Sequence, residues 1–229
     1  PYSGMIPGFV AGLYDFEDCH IDLAPLCRRW NIRLVPGEAV AIDRPARRLI
    51  LADGRTLPWD VLSLDVGAAP DVAPIPGADR WTMPVKPIAG LGRRWLDFVA
   101  EKKSWLGPLG IVVIGGGAGG VELALAIDHR LRSAAPAATV SVTLATRDEI
   151  LPGQAPAARR LLRAAMQRRG IALREHAPVE QVERGAVRIG TDWLHADAVF
   201  LVTEASAPAW LRDTGLPLDP RGFLAVRDT

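Results

Sequence analysis

Apolar residues follow three rhythms along this chain, and the changes between them mark out its elements. Short, nearly continuous apolar runs recur at Ile32-Arg33-Leu34-Val35, Val61-Leu62-Ser63-Leu64, Leu109 to Ile114, Val140 to Ala145 and Ala198 to Val202. Such runs predict strands buried on both faces, as in a parallel sheet. Helical spacing appears elsewhere. Leu91, Trp95, Phe98 and Val99 share one face of a helix expected over 86–103. Val121, Leu123, Leu125, Ala126 and Leu131 are the packing residues of a helix over 120–132, with Pro136 after its end. A further helix is expected over 156–169. A short one over 22–30 begins near Asp22 and turns Leu23, Cys27 and Trp30 inward. The third rhythm is brief and strand-like, at Val40 to Ile42, Leu49 to Leu51, Val179 to Val182 and Ala186 to Ile189, with a turn at Asp53-Gly54. Pro1 to Gly12 reads as irregular backbone, and the proline-rich stretch from Ala68 to Pro84 as a crossing loop. Strands alternating with helices through short turns predict an α/β fold, a parallel sheet with helices on its faces.

The pattern also repeats. NIRLVPGEAV from Asn31 resembles GIALREHAPV from Gly170, and LPWDVLSLDVGAAP from Leu57 resembles LHADAVFLVTEASAP from Leu194. Ile32 and Ile171 lie 139 residues apart, as do Val40 and Val179, while Leu57 and Leu194 lie 137 apart, as do Asp60 and Asp197. The second copy has a glycine-rich turn about 55 residues before Ile171, and the same spacing from Ile32 falls upstream of Pro1. A pair of nucleotide-binding units is therefore expected, the first of them incomplete in this chain.

Composition narrows the class. The chain has 229 residues, 49% hydrophobic and 23% charged, with a formal net charge of +1. That charge excludes a nucleic-acid partner chosen by bulk electrostatics. The basic pairs Arg159-Arg160 and Arg168-Arg169 fall on expected helix faces and read as solvated. No apolar run approaches the roughly 20 residues of a membrane span, and Pro1-Tyr2-Ser3-Gly4 does not open a signal peptide. Cys19 and Cys27 have neither CxxC nor metal-ligand spacing, so two ordinary thiols, no metal site and a reducing, cytoplasmic compartment are expected.

The candidate chemistry lies at Gly115-Gly116-Gly117-Ala118-Gly119-Gly120, between an apolar strand and a helix. Gly115, Gly117 and Gly120 satisfy G-x-G-x-x-G. The first glycine allows the tight turn, the second lets a pyrophosphate approach the backbone, and the third lets helix and strand pack closely. The helix N-terminus offers free N–H donors and partial positive charge to the phosphate. An NAD site usually carries an acid at the end of the next strand. Here Thr146-Arg147 follows that strand, with acids only at Asp148 and Glu149. Arg147 suits a 2′-phosphate, or an adenine face, or solvent, so NAD and NADP both stand open. Glu122, on the first turn of the helix, suits either the helix N-terminus electrostatically or a contact with the nicotinamide carboxamide or ribose.

With these motifs in hand, the chain resembles the flavin- and NAD(P)-dependent pyridine nucleotide–disulfide oxidoreductases. Within them it looks most like the NADH dehydrogenase-like branch, in particular the oxidoreductase part found fused to selenide, water dikinase. PYSGMIPGFVAG from Pro1, CHIDLAPLCR from Cys19, PWDVLSLDVGAAP from Pro58, PVKPI from Pro84, VVIGGGAGGVELALA from Val112 and SAPAWLRDTGLPLDPRGFLAV from Ser206 carry the likeness. It implies a Rossmann-like NAD(P)-binding domain over 106–206, inserted in an incomplete FAD-binding domain made of 1–105 and a C-terminal segment beginning at 207–229. It implies hydride passing from NAD(P)H to FAD and then electrons to an acceptor the sequence does not identify. Glu122 would be the residue near the nicotinamide and flavin. Thr203, where a glycine often ends the strand, and Gly67, its counterpart in the first copy, would lie against cofactor. The partners implied are NAD(P)H and that acceptor, with a dimer left open. The FAD pyrophosphate turn and the C-terminal Gly-Asp motif of the family are absent from this sequence. FAD is accordingly expected in the longer parent and not on this chain, which alone should be inactive. A nucleotide-binding module without redox chemistry is the rival reading.

Overall fold

The computed structural model describes residues 2–70, 75–86, 88–202 and 205–226. The chain forms two compact units, Pro1–Ile21 with Pro70–Glu204, and Asp22–Ala69 with Ala205–Thr229.

The larger unit is built on a five-stranded parallel sheet. Its order is Met83–Pro84, Ala198–Leu201, Gly107–Ile114, Ala138–Ala145, Ala172–Arg174. The strand Gly107–Ile114 sits at its centre. This strand is almost wholly buried because its side chains alternate between two cores. Leu109, Ile111 and Val113 join Trp95, Val121, Ile127, Leu131 and Met166 on the helical side. Val112 and Ile114 join Val179, Val182, Val187 and Leu201 on the other. Helices Ile88–Lys102, Ala118–Ala134 and Pro156–Arg169 supply the first layer. Leu91, Trp95, Phe98 and Val99 are buried as their spacing predicts. Residues 6–11, read as irregular, form a short helix whose Ile6, Phe9 and Val10 enter the same core. Trp95 donates its indole N–H to the carbonyl of Val10 at 3.2 Å.

The opposite layer is an antiparallel meander of Val179–Glu183, Ala186–Ile189 and Asp192–His195. The last of these strands has no apolar run to announce it. The chain re-enters the sheet through a reciprocal lock. Asp197 N–H donates to the carbonyl of Gly110 at 2.8 Å, and Gly110 N–H donates to Asp197 Oδ2 at 2.8 Å. The crossing segment is also more structured than its prolines suggest. It holds a helical turn at Ala78–Trp81 and the edge strand Met83–Pro84.

The smaller unit repeats the meander as Ala39–Asp43, Arg48–Leu51 and Thr56–Pro58. These segments match the second meander at the sequence repeat's own offset. Its short helix Leu23–Arg29 is capped by Asp22, whose Oδ1 accepts from Ala24 N–H at 2.9 Å. Three expectations fail in this unit. Ile32-Arg33-Leu34-Val35 and Val61-Leu62-Ser63-Leu64 are not strands. Ile32 is 59% exposed and Val61 90%. Leu23 and Trp30 are exposed too, Cys27 is only partly buried, and the helix buries nothing. A parallel strand requires neighbours on its edges and layers on its faces, and these segments have no such neighbours among the described residues.

Candidate dinucleotide-binding site

The glycine turn forms because the backbone goes where only glycine fits. Gly115 has φ +125°, and its N–H donates to the carbonyl of Ala145 at 2.9 Å, closing the turn onto the neighbouring strand. A Cβ on Gly120 would overlap the carbonyl oxygen of Gly115, so helix and strand approach as closely as they do only without one. A Cβ on Gly116 would strike Thr146 Oγ1. A Cβ on Gly117 meets nothing within 4 Å, and one on Gly119 comes only within 3.5 Å of Val202 Cγ1. That open space over Gly117 is what an approaching phosphate needs. Gly117 is also the N-cap of helix Ala118–Ala134 and provides no side-chain cap. The N–H groups of Ala118 and Gly119, at the first helical positions, therefore have no partner among the described residues. Unpaired donors and the helix dipole together favour an anion there.

A cleft of about 370 Å³ opens beside the turn, lined by Gly115, Gly116, Ala145, Thr146, Arg147, Asp148, Glu149, Pro152 and Pro178 among others. Gly115, Gly116, Thr146 and Arg147 thus line one cleft, and Gly117 to Gly120 continue the chain from Gly116 into the helix. Thr146 is buried and fixed at both ends. Its N–H donates to Arg174, and its carbonyl accepts from Ala177, each at 2.9 Å. Arg147 is exposed, with Nε 3.2 Å from the equally exposed Asp148. Glu122 is exposed on the first helical turn. Gly67 belongs to the smaller unit, in left-handed backbone (φ +67°) with nothing within 4 Å of a Cβ. Thr203 lies outside the described residues. The wider cavity, about 780 Å³, is an open depression in the smaller unit lined by Ile42, Arg44, Trp59 and Thr214, and it contains none of the glycine-turn residues.

The loop after Ala145 is held by a cluster that residue spacing did not reveal. Ile150 N–H donates to Glu175 Oε1 at 2.8 Å, and Leu151 N–H to the carbonyl of Gly116 at 2.7 Å. Arg163 grips Glu175 through Nε at 3.0 Å and Nη2 at 2.6 Å, and also reaches Glu149 at 3.1 Å. Arg159 Nη1 meets Glu149 Oε2 at 2.6 Å. Burial pushes the Glu175 carboxyl up, but the Arg163 hydrogen bonds, the Ile150 N–H and the Arg163 charge outweigh it and leave the carboxyl below its ordinary value. The basic pairs are therefore only partly solvated. Arg159 serves this cluster, and Arg169 with Arg132 binds the buried Asp128, each at 2.7 Å. The sequence signal available was the i, i+4 placement of Arg159 and Arg163 on one helix face. Cys19 is buried and Cys27 partly so, both as free thiols. Among the described residues no group of His, Cys, Asp or Glu is placed to hold a metal, and no helix is long and apolar enough to cross a membrane.

Comparison with known proteins places these features. A family model described as pyridine nucleotide-disulphide oxidoreductase matches residues 22–229, and the chain belongs to that family. A curated relative, the sulfide-quinone reductase of Aquifex aeolicus (strain VF5), is 33% identical over 70 residues, which cover 29% of this chain and 16% of that protein. Among solved structures, reduced Bacillus anthracis CoADR-RHD superimposes with a TM-score of 0.80 at 22% identity, over 96% of this chain and 40% of that one. The sulfide:quinone oxidoreductase from Aquifex aeolicus gives a TM-score of 0.79 at 20% identity, over 97% of this chain and 55% of that one. The water-forming NADH oxidase from Lactobacillus brevis bound to NADH gives 0.76 at 19% identity, over 96% and 49%. The chain thus spans a sixth of the curated relative and about half of these structures. At such identities the structures establish a shared fold.

Proposed function

We propose that this chain is part of an NAD(P)H-dependent flavoprotein oxidoreductase, and that its contribution is the pyridine-dinucleotide site. The observation carrying this reading is the glycine cradle. Unpaired Ala118 and Gly119 N–H groups, empty space over Gly117 and a cleft ending at Thr146 and Arg147 fit a pyrophosphate with an adenosine extending from it. Binding of the pyrophosphate is the work of those N–H groups. Orientation of the adenosine ribose falls to the Thr146–Glu149 loop. Glu122, on the first helical turn, contacts the nicotinamide ribose or carboxamide and so fixes which ring face is presented.

FAD, when bound, supplies the hydride acceptor. Among the described residues no second glycine turn makes a comparable cradle for it. Only one G-x-G-x-x-G occurs in the sequence, and Gly67 is the contact that the family resemblance proposes in the smaller unit. We assign FAD to the longer parent, with the NAD(P) domain over 106–206 inserted between flavin-domain segments 1–105 and 207–229. The order of the PYSGMIPGFVAG, PVKPI and SAPAWLRDTGLPLDPRGFLAV motifs favours the NADH dehydrogenase-like branch, including the part fused to selenide, water dikinase. The electron acceptor is left unassigned, and a cytoplasmic location belongs to the same reading. The test is anaerobic titration of the full-length parent with NADH and NADPH. Bleaching of a bound flavin by either, slowed by Glu122→Ala, is the expected result. A colourless parent that binds dinucleotide but no flavin would favour a non-redox nucleotide-binding module instead.

A further inference from the structure

Glu149 stands four residues beyond the strand Ala138–Ala145, on the wall of the dinucleotide cleft. Its two carboxylate oxygens are used differently. Oε2 accepts from Arg159 Nη1 at 2.6 Å and from Arg163 Nη2 at 3.1 Å. Oε1 has no hydrogen-bond partner among the described residues. Arg163 is shared with Glu175, whereas Arg159 meets no other carboxylate among the described residues. Two guanidinium groups converging on one acceptor oxygen would suit a phosphate oxygen equally well. Here a carboxylate already fills the position. The strand itself ends on Ala145, which is buried and has no polar side chain, so the strand end does not supply the usual acid.

We propose that Glu149 makes this cleft select NAD(H) over NADP(H), a role that rests on the dinucleotide reading above. Arg159 and Arg163 hold Oε2 and leave Oε1 to accept from the adenosine ribose hydroxyls. The same carboxylate denies both guanidinium groups to a 2′-phosphate. A ribose diol donates to a carboxylate, whereas a phosphate monoester carrying roughly −1.5 to −2 charge is repelled by it. Arg147 does not reverse this choice, because it is exposed and paired with Asp148.

The test is fluorescence titration of the chain with NADH and NADPH for the wild type, Glu149→Gln, and Glu149→Gln with Arg159→Gln. Glu149 is half exposed, so the substitution leaves the fold intact, and Glu149→Ala is a second variant with the same expected shift. Wild type should prefer NADH. Glu149→Gln should move the affinity ratio toward NADPH by about tenfold or more, the worth of one charge-assisted hydrogen bond. Adding Arg159→Gln should take back most of the NADPH gain. A wild type that prefers NADPH, or a ratio unchanged in both Glu149 variants while dinucleotide still binds, would overturn the role of Glu149 alone. A wild type that binds neither dinucleotide would remove the site itself, and this proposal with it.

Discussion

The two copies of the repeat share a meander and differ in everything the meander rests on. In the larger unit the residues after the meander run into a parallel sheet at Ala198–Leu201, and Asp197 is locked to Gly110. In the smaller unit the equivalent residues, from Asp60 to Leu64, form no strand and are mostly exposed. Sequence alone makes Ile32 and Ile171 equivalent, yet one is 59% exposed and the other 5%. Local pattern thus specifies the meander by itself, because hairpin pairing is short-range. A buried parallel strand is specified only jointly with the strands that flank it.

Substituting equivalent residues measures that difference. The largest effect is expected at the first pair. Ile171→Ala should destabilise its unit by about 2–5 kcal/mol, while Ile32→Ala should change stability by no more than about 0.5 kcal/mol. Denaturant unfolding of both variants checks this, and equal losses would remove the distinction between the copies. In a longer parent that supplies the flanking strands, Ile32→Ala should become costly as well.

The next pair is Asp197 and Asp60. Asp197→Ala removes a carboxylate acceptor from the buried Gly110 N–H, at an expected cost of about 1–3 kcal/mol. Asp60 is exposed, makes no such bond among the described residues, and should be replaceable by Ala within about 0.5 kcal/mol.

The smallest effect is a pH dependence confined to the larger unit. The folded-state value of Glu175 lies below its ordinary one. Its contribution is therefore fully present above the unfolded value of about 4.3 and is lost as pH falls through the folded value. Glu175→Gln should flatten the acid limb of the larger unit's stability and loosen the loop from Thr146 to Leu151. An unchanged acid limb in thermal melts would show that the Arg163 pair contributes nothing there.

These contrasts also explain what was legible in the sequence. The strand–turn–helix around Gly115–Gly120 could be read directly, since each glycine answers a local steric demand. The helix over 156–169 could also be read, since its amphipathic face is continuous and Gly170 ends it in left-handed backbone. The strands expected at Ile32 and Val61 could not be verified from composition, because apolar runs state what a segment would bury and not whether a partner is there. The strand Asp192–His195 was missed because both Asp192 and Trp193 face solvent. The cluster of Glu149, Arg159, Arg163 and Glu175 showed only its i, i+4 arginine pair, because the carboxylates reach that helix from a loop and a strand end that only the fold brings beside it.

The most direct measurement is calorimetric titration of the purified chain with NADH and with FAD, repeated for Gly117→Val. Gly117 has open space where a pyrophosphate would lie, so a valine there removes the binding space without disturbing the fold. One NADH per chain, loss of that binding in Gly117→Val with an unchanged melting temperature, and no stoichiometric FAD are the expected results. NADH binding that survives Gly117→Val, or a yellow protein holding one flavin per chain, would contradict the assignment of the nucleotide site to the second copy alone.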